Sequence, residues 1–169
     1  MKKIFPFFLI FIFKVSFAQQ KAPAYPLITH DPYFSIWSMT DTLNNSVTKH
    51  WTGTAQSLLG VIKVDSKYYR VIGNEEKIST SAIIAAEQKK ITINATQTIY
   101  DFNCGPITTT ITFTSPLIIT DIQLLSRPVS YITYSVKAND GKTHDVDIYF
   151  GASTNIAANT SDQEIITQE

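Results

Sequence analysis

Residues 131–150 read YITYSVKANDGKTHDVDIYF, and this stretch decides the fold class. From Tyr131 to Val136, the set Tyr131, Thr133, Ser135 alternates with Ile132, Tyr134, Val136. From His144 to Phe150 the alternation resumes, with Val146, Ile148 and Phe150 on one face. A period of two is the period of a strand, because successive side chains leave opposite faces of a sheet. Asn139-Asp140-Gly141 lies between the two runs and is a strong turn signal. The two strands are therefore expected to pair as a hairpin with a longer loop.

Outward from this stretch the same grammar recurs. Leu58–Val64 and Tyr68–Ile72 flank Asp65-Ser66-Lys67, which predicts a second hairpin. Ile107–Thr114 reads ITTTITFT, a β-branched run. Tyr33–Ser38, Lys90–Thr96 with Ile91 and Ile93 on one face, and Ile118–Leu125 before Arg127-Pro128 add three strand candidates. Residues 78–90 contain Ala82, Ala85 and Ala86, which favour a helical turn, but strand and loop are the preferred reading. No segment carries a sustained helical period. Turn signals fall every ten or so residues, the spacing of a sandwich or barrel. The expectation is an all-β, antiparallel sandwich-like domain. A further strand-like run begins at Glu164–Thr167, just before Glu169. An edge left open there would be a liability, so the domain is expected to be incomplete at its C-terminus, cut from a longer reading frame.

The N-terminus reads as a targeting signal. Lys2 and Lys3 precede an apolar run, Ile4–Phe13, and Ser16 and Ala18 stand at the small-residue positions of a cleavage site. Cleavage is expected before Gln19, with export to the periplasm or the exterior. A bilayer span takes roughly 20 apolar residues, so this run is too short for one. With Lys2, Lys3 and Lys14 removed, 11 of the 14 basic residues remain against 14 acidic ones. That mild negative balance, without a basic stripe, argues against nucleic acid or an anionic membrane as partner. The single cysteine, Cys104, has no intramolecular disulfide partner and is expected to be buried.

Few residues suggest chemistry. His30-Asp31 could support acid–base work or sit at a pocket rim, although neighbours on an extended strand face apart and Asp31-Pro32 also reads as a turn. His50-Trp51-Thr52-Gly53 could present Trp51 to a sugar ring, or use it to anchor a loop. Trp37 is a second aromatic of that kind. Arg127 could clamp a carboxylate, or pair with Asp121 or Asp145, or bind backbone carbonyls. His144-Asp145-Val146-Asp147 supplies too few converging ligands for a metal. The rim candidates are thus His30, Asp31, His50, Trp51 and Arg127, with no catalytic set, cofactor or metal expected. Sequons stand at Asn44, Asn94 and Asn159.

Two blocks carry a family resemblance. The first holds HDPYFSIWS (residues 30–38) and HWTG (50–53), followed by LLGVIKVDSKYYRVIG (58–73). The second holds LLSRPVSY (124–131) and DGKTHDVDIYF (140–150). In this order they resemble the N-terminal part of the secreted glutaminase A family of bacteria and fungi. The resemblance covers about Ala24 to Ser153. After the leader over residues 1–18 read from the N-terminal pattern, it implies a glutaminase A-like N-terminal segment over 19–75 and a sandwich region over 76–169. It further implies a parent that hydrolyses glutamine to glutamate and ammonia, with a C-terminal helical catalytic domain as this segment's partner. None of that family's catalytic residues maps onto these positions. A glycan-binding module, or a piece of a glycan-active enzyme, is the alternative from a different class.

Overall fold

A computed structural model describes residues 21–158, 160 and 163–166. The expected leader, its cleavage point before Gln19, Asn159 and Thr167 lie outside the described residues.

The regular structure of the described residues is almost all strand. β1 is Tyr25–Thr29, β2 Ser35–Ser38 and β3 Lys49–His50. β4 (Leu58–Val64) and β5 (Lys67–Ile72) follow, then β6 (Lys77–Ile78), β7 (Ser81–Ala85) and β8 (Glu87–Ile93). β9 (Gln97–Cys104) and β10 (Ile107–Thr114) precede a single helical turn, α1 (Ile122–Leu125). β11 (Tyr131–Ala138), β12 (Val146–Ala152) and a 3-10 turn at Thr154–Ala157 complete the order.

Three sheets form, ordered β1-β2-β3, β11-β10-β9-β8 and β12-β4-β5-β7-β6. All pairings are antiparallel except β5 with β7. One core joins the sheets: Leu27 and Ile36 from the small sheet, Ile62, Val71 and Ile72 from β4 and β5, and Tyr100, Phe102, Ile111 and Phe113 from β9 and β10. Tyr100 stacks near Phe102 and meets Phe113 edge-on, with ring centroids 6.3 and 6.1 Å apart. Such pairs contribute about 0.5–1.5 kcal/mol beyond the area they bury.

The β4–β5 hairpin forms as the sequence predicts, with Asp65 in a left-handed conformation (φ 54°) at its turn. β10 spans the ITTTITFT run, and residues 81–93 are strand and loop. Four expectations fail.

β11 and β12 do not form a hairpin. β11 pairs along its whole length with β10, and β12 pairs with β4 in another sheet. Ile132 and Tyr134 lie opposite Phe113 and Ile111, while Ile148 lies opposite Ile62, so the apolar sets of the two strands join different sheets. The turn at Asn139–Gly141 carries the chain across the sandwich instead. His144 fastens that crossing, its Nδ1 2.9 Å from Asp65 and its Nε2 3.0 Å from Asp140.

Residues 118–125 are not a strand. Asp121 accepts a hydrogen bond from the Leu124 N–H at 2.9 Å and caps α1. Ile119 and Ile122 stay more than three-quarters exposed, so this segment has no apolar face to bury against a sheet. The strand expected from Tyr33 begins only at Ser35, because Asp31 holds the Tyr33 and Phe34 N–H groups in a turn. Glu164–Ile166 carries no strand.

Candidate cleft at the Asp31 and Trp51 loops

Two neighbouring turns build the site. The β1–β2 connection is an Asx turn: Asp31 Oδ1 accepts from the backbone N–H of Tyr33 at 2.8 Å and of Phe34 at 2.9 Å. Those donors hold the Asp31 carboxyl below its ordinary range. The connection after β3 turns at Gly53, whose φ of 98° a β-carbon would oppose. Between the turns, the Pro32 carbonyl accepts from Trp51 Nε1 and His50 Nε2, each at 2.9 Å. The indole and the imidazole are thus locked to one oxygen.

The arrangement assigns the His50 tautomer. A carbonyl can only accept, so Nε2 carries the proton. Nδ1 is then the acceptor for the Thr52 hydroxyl at 2.8 Å and the Thr52 N–H at 3.4 Å. Both ring nitrogens are occupied. His30 is similarly held: Nδ1 lies 3.3 Å from Ser130 Oγ, Nε2 lies 3.3 Å from Asp31 Oδ2, and the ring stacks on Phe34. The chain bends after β1, and that bend brings His30 and Asp31 together, although neighbours on a straight strand would face apart.

Asp31, His50 and Trp51 line one cleft of about 750 Å³, together with Tyr33, Thr54 and Gln56. His30 and Arg127 line a separate pocket of about 130 Å³ over Phe113. The five candidates therefore divide between two places, which the His30–Asp31 contact connects. No ion pair among the described residues involves Arg127. Asp121 caps α1, and neither Asp121 nor Asp145 forms an ion pair with Arg127. Trp37 stands outside the cleft, its Nε1 donating to Ser35 Oγ at 2.8 Å. Asp147 pairs with Lys63 at 2.8 Å. Asn44 is buried, and its Nδ2 donates to the carbonyls of Arg70 and Ala86, so the folded chain does not present that sequon to solvent.

Sequence reasoning missed Gln56. It is 5% exposed, and its carbonyl Oε1 has no hydrogen-bond partner among the described residues. A glutamine beside small polar residues gives no pattern that would single it out. Tyr33 sits inside the quoted HDPYFSIWS block, but nothing there marks it as 88% exposed and cleft-facing. Cys104 is fully buried, and burial pushes its thiol up to about 11.

The fold and the cleft define a β-sandwich-like segment with an aromatic-lined surface site. Two domain families match the chain, each described as a domain of unknown function: DUF4964 over residues 12–85 and DUF5127 over residues 96–169. Glutaminase A of Aspergillus oryzae (strain ATCC 42149 / RIB 40) is 26% identical over 161 residues, which is 90% of this chain and 22% of that relative. The chain thus spans about a fifth of the length of the curated relative it matches. No solved structure matches. These similarities indicate an N-terminal fragment of a glutaminase A-like protein.

Proposed function

We propose that this segment is the exported, non-catalytic β-domain of a glutaminase A-like amidohydrolase. Its role is to pack on a larger helical catalytic part and to supply the rim of the substrate cleft. Hydrolysis of glutamine to glutamate and ammonia needs an activated nucleophile or water, a proton donor for the leaving ammonia, and donors for a tetrahedral oxyanion. One observation carries the reading. All three histidines have both ring nitrogens engaged, His30 by Ser130 and Asp31, His50 by Thr52 and Pro32, His144 by Asp65 and Asp140. Cys104, the one thiol, is sealed in the core and holds its proton. A free base beside a free nucleophile is not assembled among the described residues.

The test is ammonia release from L-glutamine, measured for this chain and for the longer parent. The expected result is turnover by the parent and none by the chain. Turnover by the chain alone would place the reaction within these residues and end the proposal. Silence from both would remove the amidohydrolase reading.

A further inference from the structure

The cleft at Trp51 offers more than a rim. Tyr33 and Trp51 both line it and are 88% and 58% exposed. The indole is also held in place by its bond to the Pro32 carbonyl, so it need not be ordered by a ligand. Beside these rings lies the buried Gln56 amide, whose carbonyl has no partner among the described residues. A buried acceptor without a partner is uncommon in folded proteins and invites a donor. The Thr52 and Thr54 side chains add short polar groups to the same lining.

Charge narrows the choice. No Lys or Arg is among the described lining residues, so a phosphate or a free carboxylate would enter without a counter-charge. That includes the α-carboxylate of glutamine. Asp31 is poorly placed to recruit a cation, because Oδ1 serves two backbone N–H groups and Oδ2 lies against His30. What remains is a neutral ligand with apolar ring faces and many hydroxyls. The volume, about 750 Å³, falls within the ~300–1,000 Å³ of small-molecule clefts.

We infer that this cleft binds a neutral oligosaccharide, with a pyranose ring stacked on Trp51 or Tyr33 and its hydroxyls toward the polar lining of Thr52, Thr54 and Gln56. The inference goes beyond the amidohydrolase role and does not depend on it. A glycan held here would tether the parent to a polysaccharide surface.

Calorimetric titration of the full chain tests it, with maltohexaose, cellohexaose, laminarihexaose, mannohexaose and L-glutamine as probes. One neutral hexasaccharide is expected to bind saturably, and glutamine not at all. Affinity should fall about tenfold in Trp51→Ala and again in Tyr33→Ala, the scale of losing one stacked aromatic. Tyr33 is so exposed that its truncation leaves the core untouched, which separates lost binding from lost folding. Gln56→Leu should weaken binding too, and Trp37→Phe should leave it unchanged. No heat from any hexasaccharide up to about 10 mM overturns the inference. So does binding that survives both aromatic truncations. Glutamine binding that Trp51→Ala abolishes would also overturn it, and would return the cleft to the amidohydrolase reading.

Discussion

On β9 and β10, Tyr100, Phe102, Ile111 and Phe113 point inward and are at most 1% exposed. On β11 and β12, Val136, Ile148 and Phe150 point inward too, since they lie opposite Thr109, Ile62 and Gly60. Yet those three are 38%, 45% and 40% exposed. The phase of a side chain is set by its own strand, through the period of two. Its burial is set by what stands beside and across from that strand. β9 and β10 have a neighbour on each flank, whereas β11 and β12 are the outer strands of their sheets. One side of the sandwich is therefore sealed and the other is open. Edge strands with apolar inward faces are surfaces prepared for pairing.

The sharpest way to break this comparison is to truncate one phenylalanine on each side. Phe113→Ala should destabilise the chain by about 3–5 kcal/mol, the usual cost of a large cavity in a sealed core. Phe150→Ala should cost about 1 kcal/mol or less, because much of its ring already meets water. Urea unfolding of the full chain, followed by circular dichroism, measures both. Equal losses would show that the open side is covered.

A pair of glycines sharpens the contrast further. Gly105, in the β9–β10 turn, has φ +65°, and a β-carbon there would overlap the Tyr69 hydroxyl of the facing sheet. Gly141, in the β11–β12 crossing, has φ +71° with nothing within 4 Å of a built β-carbon. Gly141→Ala should therefore cost only left-handed strain, about 1–2 kcal/mol. Gly105→Ala should cost that strain plus the displacement of Tyr69. If the two variants have the same unfolding midpoint, the turn on the sealed side is less tightly packed than its geometry indicates.

The open edge makes its own prediction. Ile148→Lys places a charge in the inward phase of an outer strand, a device that blocks edge pairing. Light scattering should show less self-association than in the unaltered chain, with thermal stability little changed. A large drop in stability would mean that Ile148 is buried in solution.

Much of this was legible in sequence, and the comparison explains what was not. β-Branched composition found β10, and alternation found β11 and β12 and grouped the apolar residues of each on one face. It could not say that β11 and β12 belong to different sheets, because pairing depends on which distant strand offers a better apolar wall. β9 alternates as cleanly as its neighbours, with Thr98, Tyr100, Phe102 and Cys104 buried, but Asp101 and Asn103 between them masked the run. Residues 118–125 have the composition of a strand and lack a partner, so one aspartate cap made a helical turn of them. At the cleft, the HDPYF and HWTG motifs flagged Asp31, His50 and Trp51. The Pro32 carbonyl that joins the two motifs, and the Gln56 carbonyl without a partner among the described residues, emerge only from distances.

The smallest effect concerns the clasp that fastens the β11–β12 crossing. Hydrogen bonds to Asp65 first, then to Asp140, raise the His144 pKa above its usual 6.5. A raised base contributes its full stabilisation below about pH 6.5 and loses it as pH climbs through the folded value. The partners act in the opposite sense. Asp65 is lowered from 3.8, chiefly by His144, and Asp140 is lowered chiefly by the Lys142 N–H and then by His144. Their contribution is present above about pH 4 and fades as pH falls through the lowered folded values. The clasp is therefore tightest between about pH 4 and 6.5. His144→Gln should lower the melting temperature most near pH 5, and the gap to the unaltered chain should narrow on either side of that window. Both carboxylates face solvent, so the gap should be modest and should shrink further in high salt. Removing His144 should release Asp65 more than Asp140, because Asp140 keeps its backbone donor. Carboxylate titration by NMR would show that asymmetry. A stability gap that widens from pH 6 to pH 9 would reverse the sign of the linkage and assign the fastening of this crossing to the backbone pair of Asp65 and Asp145 alone.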